Sequence, residues 1–343
     1  MPPLEDLGWD AGWEATFSEH RRRGLVPGRV AVVHRGAYDV LTEEGALRAR
    51  LPGRVRHEAS SSAERPVVGD WVALERGRAT PLLRAVLPRR SRFSRRRSPD
   101  PALDPGHEQI VAANIDLVFV TAALPDPIDA PMLERTLALA WESGARPEIV
   151  LTKADLVEDV TPTRDAVAAL AADIPVHVVS TRTGAGLVEL RSRLGQGVTG
   201  ALVGPSGVGK SSLVNALVGE ERLATGEVGK GGAGRHTTTR RELVLLPSGG
   251  LLIDNPGMRE AHLWLAAQGL EEAFPDVVDL FGRCRFSDCR HEVEPGCAVR
   301  AAIATGELAP ERWERYRELR REITELEERL GERERARRRA GVR

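Results

Sequence analysis

Lysine is nearly absent. Of 49 lysines and arginines only three are lysine: Lys153, Lys210 and Lys230. A chain that uses arginine almost everywhere keeps lysine where a site needs a compact ammonium on a thin stem. Cysteine is as scarce, with three residues, all between 284 and 297. An odd, clustered count argues against a disulfide framework and for metal binding. No apolar run approaches the ~18 residues of a membrane span. The start, "MPPLEDLGWD", lacks the basic-then-apolar order of a secretory signal. These absences lead to the expectation of a soluble, cytoplasmic protein with no membrane association.

What is present is globular in composition: 343 residues, 41% hydrophobic and 29% charged, enough for two or three domains. The net charge of -1 is unevenly spread. Residues 1–97 hold 19 Arg against 12 Asp and Glu, whereas residues 266–343 hold 16 against 17. A basic N-terminal part on a near-neutral chain predicts a polyanionic partner.

The texture of the chain changes three times. Residues 1–27 form a mixed leader in which "WEATFSEHRRR" predicts a helix. From 28 onward, "GRVAVVHRGAYDVLT", "GALRARLPGRVR" and "PVVGDWVALERG" are short β-rich runs broken by Gly and Pro, the pattern of a small antiparallel barrel of the OB-fold kind. "LPRRSRFSRRRSPDPALDPG" reads as an Arg-dense, Pro-punctuated linker, so the barrel with its linker spans 28–97. Over 98–265, strands and helices alternate, which predicts a doubly wound sheet with ligands at the C-terminal strand ends. Residues 266–343 read as a helical region around a Cys/His knot, ending in a charged helix.

"GPSGVGKS" at 204–211 fits G-x-x-x-x-G-K-[ST] in full, and it sits between a strand and a helix as the motif requires. Gly204, Gly207 and Gly209, with Pro205, Ser206 and Val208, would turn backbone N–H groups onto phosphate oxygens. Lys210 would reach the β- and γ-phosphates. Ser211 would hold Mg²⁺, and Ser212 follows it in the first helical turn. Upstream, "TKAD" ends another strand: Thr152, Lys153, Ala154 and Asp155. The Asp155 carboxylate would accept two hydrogen bonds from guanine, a donor pair that adenine lacks. Lys153 would lay its stem along the base, and backbone N–H groups of Ser180, Thr181 and Arg182 would meet guanine O6. A P-loop kinase or ATPase, the rival reading, has no use for Asp155.

"LLIDNPG" has the D-x-x-G form. Asp254 would hold Mg²⁺ and the Gly257 N–H would meet the γ-phosphate. "GKGGAGRHTTTRREL" supplies a switch loop in which Thr238 is the candidate Mg²⁺ ligand among Thr237, Thr238 and Thr239. Where many GTPases place a water-orienting glutamine, this chain has Met258, so unassisted hydrolysis should be slow. His236 is the candidate substitute, with a partner contact or an ordinary loop histidine as the alternatives. "CRFSDCRHEVEPGC" presents Cys284, Cys289, His291 and Cys297, a closed set suited to one structural Zn²⁺. "RRSRFSRRR" offers Arg89, Arg90, Arg92, Arg95, Arg96 and Arg97 for RNA phosphates around the aromatic Phe93, with a solvated charge run as the alternative.

The order TKAD, STRTG, GPSGVGKS, GRHTTT, DNPG resembles the circularly permuted GTPases of the RsgA family, as do "PVVGDWV", "LPRRSRF", "ANIDLVFV" and the Cys/His cluster. The resemblance covers roughly residues 28–300. It implies a multidomain chain: an OB-fold barrel, a permuted α/β P-loop GTPase domain and a C-terminal α-helical zinc-binding domain. It implies GTP hydrolysis to GDP, stimulated by the 30S ribosomal subunit, with contact to 16S rRNA and a role in late subunit maturation. A monomer is expected. Two positions depart from the family pattern. Thr152 replaces the commoner Asn, which predicts a weaker tie to the phosphate loop, and Asn255 stands where Thr is usual.

Overall fold

In the computed structural model the residues described are 2–52, 65–77, 80–97, 107–171, 173–219, 242–254 and 267–339. The leader is built first by local capping. Asp10 accepts the Trp13 amide at 2.9 Å and starts helix α1 (Ala11–Arg22), as an N-cap aspartate should. The helix turns Trp13 and Phe17 inward. Trp9, Trp13 and Phe17 then pack with Trp71, the Trp9 and Trp71 rings meeting edge-on at 4.6 Å.

Five short strands follow: β1 (Val26–Val33), β2 (Tyr38–Thr42), β3 (Gly45–Ala49), β4 (Trp71–Glu75) and β5 (Leu82–Val86). They pair antiparallel in the order β3-β2-β1-β4-β5. A parallel bridge from Arg50 to Leu82 joins the last strand back to the end of β3, which closes a small barrel. Val30, Val40, Val72, Leu74 and Leu83 fill it. Alternation sets the inward face: Tyr38, Val40 and Thr42 of β2 are buried while Asp39 and Leu41 are half-buried.

The stretch read as a linker is instead a strand. β6 (Arg92–Arg97) pairs antiparallel with β7 (His107–Ala113). Arg92 is exposed and Phe93 is buried, so one apolar residue among arginines is enough to seat the strand against the core. Arginines have long apolar stems and tolerate a strand well, and their charge hides the period of two.

β8 (Leu117–Ala123), β9 (Arg146–Thr152), β10 (Val176–Val178), β11 (Thr199–Val203), β12 (Glu242–Leu245) and β13 (Leu251–Asp254) form the central sheet. Its order is β10-β9-β8-β11-β13-β12. All neighbours are parallel except β12 and β13. From β8 the chain moves outward to β9 and β10. From the adjacent β11 it moves the other way. The reversal lies between β8 and β11, where an open α/β sheet leaves a crevice at its C-terminal edge. Helices α2 (Ala130–Glu142), α3 (Thr161–Leu170), α4 (Leu187–Arg193) and α5 (Lys210–Val218) connect these strands.

Barrel and sheet share one ladder, because Val32 of β1 pairs with Glu242 of β12. A buried arginine ties the same parts together. Arg29 gives its guanidinium protons to the carbonyls of Leu7, Gly69 and Asn114, from leader, barrel and sheet. Complete burial pulls its pKa down to about 10, which still leaves it charged at neutral pH.

The C-terminal part is helical: α6 (Ala267–Ala273), α7 (Pro275–Phe281), α8 (Ala298–Thr305) and α9 (Pro310–Arg339). Its core of Leu270, Phe274, Val277, Trp313, Tyr316, Leu319 and Ile323 also takes Ala138 and Leu139 from α2. Glu134 of α2, 1% exposed, pairs with Arg312 at 2.7 Å and with Arg315, and Arg312 also reaches Asp276 at 2.8 Å. Close approach of α2 and α6 depends on Gly269. A Cβ there would lie 2.2 Å from the Ala138 carbonyl oxygen and 2.7 Å from the Glu142 amide nitrogen.

Helix propensity alone would make Gly269→Ala stabilising by about 1 kcal/mol. The backbone clash outweighs it, and the variant is expected to lose roughly 1–3 kcal/mol. A lower urea midpoint at unchanged slope is the readout; an unchanged or higher midpoint would refute the close-packing argument.

Candidate nucleotide site and Cys/His centre

The phosphate loop leaves the buried strand β11 at Gly204. Its glycines hold backbone that L side chains resist: φ is +147° at Gly204, +80° at Gly207 and +98° at Gly209, which caps α5. A Cβ on Gly204 would sit 2.3 Å from Thr121 Oγ1. Thr121 itself, buried in β8, donates to the Val203 carbonyl at 2.8 Å. Sequence reasoning passed over Thr121. The only signal was one hydroxyl inside the apolar run "LVFVTAA". Lys210 Nζ donates to the Gly204 carbonyl at 2.7 Å and also to that of Pro205, so the ammonium lies across the loop. Ser206 is exposed, Val208 is buried, and Ser211 and Ser212 are half-buried in the first turn of α5.

The base motif ends β9, two strands away. Thr152 Oγ1 donates to the Val208 carbonyl at 2.5 Å, with the Ala122 carbonyl at 3.2 Å as a second acceptor. The tie to the phosphate loop therefore exists, made by a hydroxyl. One O–H proton serves two carbonyls, where an asparagine would offer two N–H donors. Lys153 follows in the left-handed region, with φ 58°, and the Ala154 amide bonds the Val179 carbonyl at 3.2 Å. Asp155 then meets the β10 end, where Ser180 Oγ donates to its carboxylate at 2.6 Å. That hydrogen bond, with a smaller contribution from the Arg182 guanidinium 3.9 Å away, holds the Asp155 carboxyl below its usual range. The Ser180 amide is committed to the Ala185 carbonyl at 3.0 Å, so Ser180 acts here through its hydroxyl. Thr181 and Arg182 are exposed beside it.

Asp254 ends β13 opposite Glu242 in register, next to β11 in the sheet. Lys230, His236, Thr237, Thr238, Thr239, Asn255, Gly257 and Met258 lie outside the described residues.

The arginine-rich stretch needs correcting residue by residue. Phe93 is 1% exposed and so presents no ring to a base. Arg89 makes a two-pronged contact with the fully buried Asp70, 2.7 Å on each prong. Arg90 forks onto Asp10 and lies 4.2 Å over the Trp13 ring. Arg89 is thereby tied to the barrel and the half-exposed Arg90 to the leader. Arg92 is exposed, and for Arg95, Arg96 and Arg97 only the strand backbone is described.

The ligand atoms of Cys284, Cys289, His291 and Cys297 all lie within 4.8 Å of one another. His291 Nδ1 is 3.5 Å from both Cys284 Sγ and Cys297 Sγ. A tetrahedral zinc with Zn–S of about 2.3 Å and Zn–N of about 2.0–2.1 Å sets sulfur and nitrogen ligands about 3.5 Å apart, so the set fits that ion. The Ala298 amide donates to Cys284 Sγ at 3.4 Å, a contact that favours a negatively charged sulfur. Burial pushes the His291 imidazole toward its neutral, ligating form. Glu294, not anticipated from the sequence, organises the loop. It accepts the amides of Arg290, Glu292 and Val293 at 2.9–3.0 Å. Its own amide first, then these bonds, lower its carboxyl to about 2.

The sequence profile of the RsgA GTPase family matches residues 86–264. The "Small ribosomal subunit biogenesis GTPase RsgA" of Streptomyces avermitilis is 46% identical over 93% of this chain and 85% of its own length. The protein of the same name from Opitutus terrae is 41% identical over 93% of this chain and 89% of its own. Among solved structures, YjeQ from Thermotoga maritima superposes with a TM-score of 0.65 at 28% identity, covering 88% of this chain and 99% of that one. YloQ, described as a circularly permuted GTPase, gives 0.64 at 25% identity, covering 88% and 96%. The chain belongs to the RsgA GTPase family.

Replacing Thr152 by Val leaves the buried Val208 carbonyl without its partner, a loss of roughly 1–3 kcal/mol. Thr152→Val is expected to speed dissociation of both GDP and GTP about tenfold, since the base and phosphate halves lose their tie. Thr152→Ser should restore it. Stopped-flow release of a fluorescent guanine nucleotide measures both, and equal rates in all three proteins would sink the assignment.

Proposed function

We propose that this chain binds the small ribosomal subunit and hydrolyses GTP there during late maturation of the subunit, its turnover stimulated by the subunit. The names carried by its relatives support the setting. The observation that carries the nucleotide reading is the hydroxyl bond from Thr152 to the Val208 carbonyl. It brings the strand end that carries Asp155 and the 204–211 loop to one sheet edge, which supports reading them as base and phosphate halves of one site.

In this reading, each residue has a chemical part. Asp155, fixed by Ser180, accepts the paired N–H donors of guanine, and Lys153 lies along the base with its stem. Ala154, Thr181 and Arg182 complete the base rim. The amides of the 204–212 loop and Lys210 surround the β- and γ-phosphates and offset charge as the terminal bond to phosphorus breaks. Ser211, Asp254 and Thr238 would hold Mg²⁺, which when bound neutralises phosphate charge. The Gly257 N–H meets the γ-phosphate. His236 orients the attacking water where Met258 cannot. Water adds to the γ-phosphorus, GDP leaves, and the released proton goes to solvent or to the departing phosphate.

The remaining parts serve the partner. The closed five-stranded barrel is read as an OB-fold, an architecture that often binds oligonucleotides. The basic N-terminal part, with Arg92 and Arg95 to Arg97 of β6, is read as its contact with 16S rRNA. The Cys/His set is read as one structural Zn²⁺ site, closed by four protein ligands and so without an open position for catalysis. Among the described residues no helix is long and apolar enough to cross a membrane. The protein is read as a cytoplasmic monomer.

GTP turnover measured with and without purified small subunits tests the whole reading, and a clear rise with subunits is expected. An unchanged rate overturns it. Asp155→Ala removes two charge-assisted hydrogen bonds and should raise the KM for GTP at least about a hundredfold while leaving ATP use as poor as before. Equal competition by ATP in the parent protein would point instead to an adenine-using phosphotransferase. Metal analysis should find one zinc per chain, with Cys289→Ser losing it.

A further inference from the structure

The phosphate loop is fastened at both ends to the same two residues of β8. At its entrance, Thr121 Oγ1 donates to the Val203 carbonyl at 2.8 Å. At its exit, Thr152 Oγ1 reaches the Val208 carbonyl at 2.5 Å and, at 3.2 Å, the carbonyl of Ala122. Val120 and Val203 are the last pair in register between β8 and β11. The Thr121 hydroxyl therefore holds the peptide by which the chain leaves the ladder.

Thr121 is buried in the apolar run "LVFVTAA". A valine would occupy nearly the same space there, with no polar group to satisfy. What the hydroxyl adds is direction. It fixes the plane of the peptide between Val203 and Gly204. Gly204 then turns with φ +147°. It lies so close to β8 that a Cβ on it would stand 2.3 Å from Thr121 Oγ1 and 2.5 Å from the Thr121 carbonyl oxygen. The next two carbonyls, of Gly204 and Pro205, are those to which Lys210 Nζ donates, the first at 2.7 Å. A single φ/ψ pair, at Gly204, separates the plane held by Thr121 from the plane that carries the first of these acceptors. Glycine allows that pair many values, so a contact from outside the residue has to select one.

We propose that Thr121 is a positioning residue for the phosphate end of the site. Its hydroxyl selects the conformation at Gly204, which places the carbonyls that hold the Lys210 ammonium and so sets its aim at the β- and γ-phosphates. This role rests on the reading of residues 204–211 as the phosphate-binding loop. Stabilising charge at a breaking bond to phosphorus depends on groups already in place, held by their supports to within about 0.5 Å. The base half is fastened by Thr152, so loss of the Thr121 hydroxyl is felt by the phosphates and not by guanine.

The test measures subunit-free GTP turnover and equilibrium binding of GTP, GDP and GMP by the full-length parent, Thr121→Val and Thr121→Ser. Valine keeps the packing and removes the donor; serine keeps the donor and removes a buried methyl. Thr121→Val should lower kcat and the affinities for GTP and GDP about tenfold, with GMP affinity within about twofold of the parent. Thr121→Ser should unfold at lower urea concentration yet bind and turn over nucleotide as the parent does. A merely structural threonine would not give this opposite ordering of stability and function. Parent-like binding and turnover by Thr121→Val overturn the proposal. So does a loss for GMP as large as that for GTP, or a serine variant as impaired as the valine one. Should Thr121→Val not fold, Thr121→Cys, a weak donor of similar size, takes its place, with the loss again expected for GTP and GDP alone. A parent chain that binds GTP no better than GMP overturns the reading of the loop, and the role of Thr121 falls with it.

Discussion

One hydroxyl bond carries the design. The residues that would read a base and those that would hold phosphates lie about fifty positions apart, in the reverse of the usual GTPase order. The bond from Thr152 to the Val208 carbonyl, 2.5 Å long and buried, makes them one site. Thr121 anchors the other end of the same loop through the Val203 carbonyl. Strands β8 and β9 thus each send a hydroxyl to one end of the phosphate loop. The permuted order is tolerable because a sheet records neighbours, and the ends of a domain often lie close together. What the order cannot supply is a covalent link between the two halves at the site. Hydrogen bonds across the sheet edge must supply it.

The barrel is fastened to this sheet by similar means. β1 bonds β12, and Arg29 fills three carbonyls drawn from leader, barrel and sheet. A buried guanidinium without a carboxylate partner is costly unless its donors are satisfied. Here three carbonyls satisfy it, Trp71 lies 5.5 Å beneath it, and Asp70 and Asp116 add long-range attraction. This arrangement leaves little freedom for the barrel to move apart from β12, the strand that pairs with β13, which ends at Asp254.

Legibility from the sequence followed how local the physics was. The phosphate loop, the doubly wound alternation and the Cys/His set were readable because glycine conformation, period and ligand chemistry are written in short windows. The strand β6 was misread as a linker because four arginines masked one buried phenylalanine. Nothing local announces, either, that Asp70 and Asp10 reach Arg89 and Arg90 from 19 and 80 positions away. Thr121 and Glu134 went unnoticed for the same reason: each is an ordinary residue type whose role is set by what folds against it. Glu294 bonds amides only one to four positions away, but its residue type does not mark that turn. The expectation of a weaker tie at Thr152 was silent about geometry, since only the fold brings the Val208 carbonyl within reach.

The link between the sheet and the helical C-terminal part follows from a single buried charge. Glu134 lies on α2, the helix that starts just beyond the C-terminal end of β8, beside the crevice. With 1% exposure it cannot be solvated, so it must keep Arg312 and Arg315. Removing one partner of such a buried group typically costs about 3–5 kcal/mol, comparable to a large part of a domain's net stability. Arg312 is held in turn by Asp276 of α7 and lies 4.0 Å over the Phe274 ring. Sliding α9 against α2 would break several of these contacts together, and Gly269 leaves no slack for α6 to follow. Helices α6, α7 and α9 are therefore tied to α2 by shared contacts, and the same packing reaches the Cys/His centre, where Trp313 and Phe281 both meet the His291 ring.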